Sequence, residues 1–146
     1  ADEMDRMTAE VDDIGCAYIA LAARALNKTI ALVNDRRLTR EQTVMFAVAD
    51  MAMYVEVATS LARLAAELTG RADSQADKTR VYARIFSNET ADLVSRQILK
   101  IVRGSGACDP DEVSGFLTDV SHARLSESFG NLIPDMDRAA AAIFGR

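Results

Sequence analysis

Residues 39–68 read TREQTVMFAVADMAMYVEVATSLARLAAEL, and this stretch decides the fold. At 100° per residue, Val44, Val48, Met51, Val55 and Ala62 form one apolar stripe, and Phe46, Met53, Val57, Leu61, Leu64 and Leu68 form a second beside it. Together they cover more than half the circumference of a helix. Only Glu56, Thr59, Ser60, Arg63 and Glu67 make a polar strip, so this helix is expected to be the most buried one, with neighbours on two or three sides. Thr39-Arg40-Glu41-Gln42 reads as a capping box that starts it, and Gly70 stands where a left-handed residue would end it.

Upstream, helical spacing from Met4 to about Val33 puts Met7, Val11, Ile14, Tyr18, Leu21, Ala25 and Leu32 on one side. Asp12, Asp13, Arg24, Asn27 and Lys28 take the other, and the polar run from Asn34 to Arg37 breaks the pattern. Downstream, after a polar connection from Arg71 to Gln75, Val81, Phe86, Leu93, Val94, Ile98 and Ile101 mark a third helix ending near Gly104-Ser105-Gly106. Asp109-Pro110-Asp111-Glu112 is a strong start signal: a capping carboxylate, proline at the first helical position and an acid three residues past the cap. The fourth helix shows Val113, Phe116, Leu117 and Val120 on its apolar face and frays before Gly130-Asn131; Pro134 then opens a short terminal helix carrying Ile143 and Phe144. Short loops force antiparallel neighbours. The expected fold is all-α: one domain over residues 1–146, an antiparallel up-and-down four-helix bundle with a short C-terminal helix.

Composition excludes several partners. A formal net charge of -5 leaves no basic footprint for nucleic acid. Cys16 and Cys108 are too few for a disulfide framework and fit reduced thiols in the cytoplasm. Charges interrupt every apolar run before the roughly 20 residues needed to cross a bilayer, so no span is expected. Residue 1 is Ala, which suggests processing or excision from a longer chain.

Chemistry is sparse. His122 is the sole histidine and lies opposite Val113, Phe116 and Val120, which places it on the surface. Asp119 and His122 share the acid-x-x-His spacing of a metal-binding helix, but a di-iron bundle needs that pair twice, so no metal site is expected. Asp50 sits within the apolar arc between Phe46, Met53, Tyr54 and Val57, where a buried carboxylate would need an arginine or a capping N–H from another helix. Glu89 lies at the edge of the third helix's apolar face as a solvated or bridging charge, and Cys16 falls on the polar side of the first helix. Gly104-Ser105-Gly106 lacks the strand and the Lys-Ser/Thr of a phosphate loop and reads as a helix-to-helix turn. No catalytic residue is assigned.

Arg40 to Arg103 resembles the C-terminal helical domain of very-long-chain-type acyl-CoA dehydrogenases. The matching features are Glu41-Gln42, Ala49-Asp50-Met51, Tyr54 and Ser60-Leu61-Ala62-Arg63, followed by Ile85-Phe86-Ser87-Asn88-Glu89-Thr90-Ala91 after a polar turn. The resemblance implies a non-catalytic packing domain in fatty acyl-CoA oxidation, with FAD bound in an associated dehydrogenase region and no cofactor held by this chain. Asp50 and Tyr54 then become structural positions, and Phe46, Met53, Val57 and Leu61 become interface candidates. The partner is that dehydrogenase region or a second copy, and with no transit peptide or polybasic patch in the chain, membrane association is not expected. Two other readings are open: a freestanding helical interaction module, homodimeric through the second helix, and a small-ligand or metal enzyme built in the bundle core, which a single histidine disfavours.

Overall fold

A computed structural model describes residues 2–10 and 14–144, with residues 7–10 described by their backbone only. These residues are all-α, with no strand among them. The helices are α1 (Asp2–Glu10), α2 (Cys16–Asp35), α3 (Gln42–Gly70), α4 (Ala76–Gly104), α5 (Pro110–Asp119), α6 (His122–Ser126) and α7 (Leu132–Phe144), with a 3-10 turn at Leu38–Arg40.

α4 is the centre of the molecule: α3, α2, α7 and α6 all pack on it. Of the 29 residues in each helix, α4 buries eleven and α3 only seven, so α3 is not the most buried helix. The reason is one-sided packing. Val44, Ala47, Met51, Val55, Ala58, Ala62 and Ala65 of α3 are buried toward α2 and α4, while Phe46, Met53, Val57 and Leu64 on the opposite side stay exposed. Ala20, Ala22 and Ala25 of α2 and Ala91 of α4 are fully buried, and such small residues at the crossings bring helix axes close. Two of the hydroxyls that this packing buries are satisfied locally: those of Thr29 and Thr90 donate to the carbonyls of Ala25 and Phe86 one turn back, 2.8 and 2.7 Å away.

Several boundaries differ from expectation. The first helical stretch is two helices, because Gly15 takes a left-handed φ of 82° and turns the chain between α1 and α2. Val11, Asp12 and Asp13 lie outside the described residues, as does the side chain of Met7. Thr39 caps nothing; Leu38 is buried in the 3-10 turn, and α3 starts at Gln42 behind an extended Glu41. At the other end Gly70 is still helical, and Ala72 takes the left-handed conformation, with φ 51°. The capping box at Asp109 is present: its carboxylate accepts from the N–H groups of Asp111 and Glu112, and Glu112 reaches back to the Asp109 N–H at 2.9 Å. The helix it starts ends at Asp119, because Ser121 adopts φ 54°, and α6 departs from there. Pro134 falls in the first turn of α7, two residues after its start.

By length and composition α2 and α3 are each long and apolar enough to cross a bilayer, which corrects the expectation that no stretch comes near it. Both also bury a face in this fold. Val55, 9% exposed, sits on the buried face of α3 against the main core. Val55→Asp places a charge there, and the expected loss is roughly 2–3 kcal/mol. A urea titration checks it; an unchanged midpoint would mean that α3 faces the other way.

Candidate interface on the third helix

The residues picked out on the second apolar stripe divide in two. Phe46, Met53 and Val57 are 61%, 55% and 45% exposed, and Asp50 and Leu64 are exposed with them. Positions 46, 50, 53, 57, 60 and 64 alternate steps of four and three, so they fall within about 40° of one line on the helix and run along roughly 27 Å of it. Tyr54 and Leu61 turn inward. The Tyr54 ring stacks on Phe86 of α4 with centroids 5.4 Å apart, and Leu61 is half-buried against the cluster of Met4, Ile14, Cys16 and Ile19.

Asp50 is therefore exposed rather than buried, and its side chain has no hydrogen bond or ion pair among the described residues. It stands in an apolar surface, where it faces water instead of a partner helix. Further along the same helix Arg63 holds Glu3 of α1 through two hydrogen bonds of 2.8 and 2.5 Å. That pairing lowers the Glu3 pKa.

A second exposed apolar surface lies on α7, where Ile133, Met136, Ile143 and Phe144 all face solvent. The sequence pattern marked only its last two residues. α7 is anchored by an ion pair that sequence reading missed: Asp135, 2% exposed, accepts from Arg84 of α4 at 2.8 and 2.7 Å, and Arg138 approaches at 3.5 Å. The Arg84 hydrogen bonds hold the Asp135 carboxyl below its ordinary pKa. Only the acid's position in an apolar run hinted at it.

His122 is half-buried rather than exposed, with Nε2 2.9 Å from the Ser95 hydroxyl and 3.2 Å from the Ser95 carbonyl oxygen. The break at Ser121 removes it from the helix that carries Asp119, so the acid-x-x-His pair does not share a face. Asp119 instead binds Lys28 at 2.6 Å. Cys16 is buried, not on a polar side, and burial pushes its thiol pKa up; Cys108 is half-buried, and both are free. Glu89 is half-buried with no ion pair among the described residues. Among those residues no three His, Cys, Asp or Glu side chains cluster to hold a metal ion.

Comparison with known proteins places this sequence in a family. The profile described as acyl-CoA dehydrogenase, C-terminal domain, matches residues 4–129, which extends beyond the Arg40–Arg103 stretch that carried the resemblance. The probable acyl-CoA dehydrogenase YngJ of Bacillus subtilis is 27% identical over 119 residues, covering 78% of this chain and 31% of that protein. The probable acyl-CoA dehydrogenase FadE25 of Mycobacterium tuberculosis is 28% identical over the same length, with the same coverage. This chain thus spans about a third of the length of the curated relatives it matches. No solved structure matches it significantly. With the profile running through most of its length, the chain belongs to the acyl-CoA dehydrogenase C-terminal domain family.

Proposed function

We propose that this chain, as a single helical-bundle domain, is the non-catalytic packing and assembly part of a flavin-dependent acyl-CoA dehydrogenase acting in fatty acyl-CoA oxidation. The observation that carries the proposal is the uncovered face of α3, a line of large apolar side chains that monomeric proteins rarely leave in water. A dehydrogenase region seated on that face would bury Phe46, Met53, Val57 and Leu64 and leave Asp50 at the rim. We read α2, α3 and α4 as three members of an up-and-down bundle whose fourth place is shared by α5 and α6.

FAD belongs to the partner region in this reading. Two grooves of the chain are lined without any Phe, Tyr or Trp that could stack a flavin ring, and among the described residues no strand precedes a glycine-rich turn. The residues present do not fit a whole flavin dinucleotide, so no step is derived through it. Two free cysteines fit a reducing compartment, and we assign the assembly to the cytoplasm.

The alternating four-and-three spacing on α3 is also how two helices pair along a seam, and it favours a second reading, a freestanding module that dimerises with its own copy. Mass and absorption of the polypeptide in its source cells separate the two. A larger yellow flavoprotein supports the domain reading, and a colourless 15.8 kDa species supports the module. In either case Met53→Asp, at a solvent-facing site, is expected to cost under about 1 kcal/mol of fold stability. It should weaken assembly by about tenfold or more in light scattering or sedimentation, because the charge would be desolvated at the contact. Unchanged assembly would remove the α3 face from the interface.

A further inference from the structure

We propose that the exposed side of α7 is a contact between two copies of this chain, in which the two α7 helices pair antiparallel about a two-fold axis level with position 138. At 100° per residue, Ile133, Met136, Ala140, Ile143 and Phe144 fall within about 100° of the helix and run along roughly 16 Å of it. All five are exposed, and no charged residue falls within that arc. The adjoining side, with Leu132 and Asp135, is buried on α4. The bidentate grip of Arg84 on Asp135 fixes which side α7 turns outward, so the apolar arc is held in place before any partner arrives and less ordering is needed on association.

The arc is symmetric about that position. Across an antiparallel pair centred there, Ile133 of one copy faces Ile143 of the other, and Met136 faces Ala140, each contact occurring twice. A large side chain then meets a small one at both inner positions, as interdigitated layers require. A parallel pair would set Met136 against Met136 and leave a gap between two Ala140 side chains. An isologous contact needs a patch that fits itself, and this pattern is what points to a second copy as the occupant. An anionic lipid surface finds no cation on the arc, because Arg138, the single basic residue of α7, lies on the far side and approaches Asp135 at 3.5 Å. With full areas on the order of 200 Å² for side chains of this size, exposed fractions of 65%, 40%, 62% and 74% at Ile133, Met136, Ile143 and Phe144 leave roughly 500 Å² of apolar surface per copy. Two copies together bury roughly 1,000 Å², which reaches the lower bound of specific interfaces and fits a weak, reversible dimer.

The contact uses no residue of α3 and stands or falls apart from the assembly reading. The test is made in a Met53→Asp background, which takes the α3 face out of the measurement. Sedimentation velocity of that purified protein is expected to show self-association with a Kd on the order of 10 μM. Ile143→Asp, at a solvent-facing site, should weaken it by about tenfold or more, with far-ultraviolet circular dichroism verifying the fold. The register is read by mixing Met136→Cys copies with Ala140→Cys copies, both also carrying Cys108→Ser, under mild oxidation. The mixture is expected to form a disulfide-linked pair about tenfold faster than either variant alone, because only the mixed pair brings the two thiols opposite each other. A protein still monomeric at about 100 μM, a folded Ile143→Asp variant that associates like its parent, or a mixture that links no faster than the single variants would each overturn the proposal.

Discussion

Gly15→Ala is expected to lower the free energy of unfolding by about 2–5 kcal/mol. Two causes add. The φ of 82° is open to glycine and costs any other L-residue about 1–2 kcal/mol. A Cβ built there falls 2.6 Å from both Cβ and Oγ of Ser87, and overpacking of this kind adds about 1–3 kcal/mol. The site cannot yield easily, because the Ser87 hydroxyl donates to the Gly15 carbonyl at 2.6 Å and Ser87 itself is buried on α4. Thermal or urea unfolding measures the loss. Adding Ser87→Gly removes both clashing atoms and should recover part of it, leaving the backbone strain in place. A Gly15→Ala protein as stable as wild type would mean that α2 does not approach α4 this closely.

The second large effect comes from Arg84. Its bidentate grip on Asp135 joins α4 to α7, and breaking one side of a buried pair costs more than the pair contributes, because the remaining charge loses its counter-ion in a dry site. Arg84→Ala is expected to cost about 3 kcal/mol, since Arg138 at 3.5 Å is largely solvent-exposed and compensates only in part. Amide hydrogen exchange should show Leu132–Phe144 opening before the rest of the molecule. The combined change Arg84→Met with Asp135→Leu should restore most of the stability, because apolar packing replaces the pair without leaving a charge behind. An Arg84→Ala protein with unaltered exchange in α7 would show that this pair does not anchor the helix.

The same pair makes stability depend on pH. The Asp135 carboxyl titrates lower folded than unfolded, so the stabilisation is fully present above the ordinary aspartate value near pH 4. It is lost as pH falls through the lower folded value. Asp135→Asn should flatten that part of the curve. Glu3 and Glu112, each held low by an arginine or a backbone N–H at the surface, contribute in the same direction.

All-helical architecture was legible in the sequence because it depends on local periodicity, caps and the shortage of proline, which neighbouring residues settle among themselves. The Asp109 capping box and the extent of α4 belong to that class. Family membership was legible too, since ordered residues such as Ala49-Asp50-Met51 and Ser60-Leu61-Ala62-Arg63 need no coordinates to be compared. Which side of α3 faces the core was not, because apolar residues occupy more than half of its surface and periodicity cannot rank two apolar stripes. Contact with α2 and α4 made that choice: it buried the stripe with more alanine, which permits close helix crossings, and left Phe46, Met53 and Val57 in water. Gly15 and Asp135 take their meaning from Ser87 and Arg84, residues 72 and 51 positions away in the chain. Contacts at such range carry no local periodic signal, so only the tertiary structure decided them.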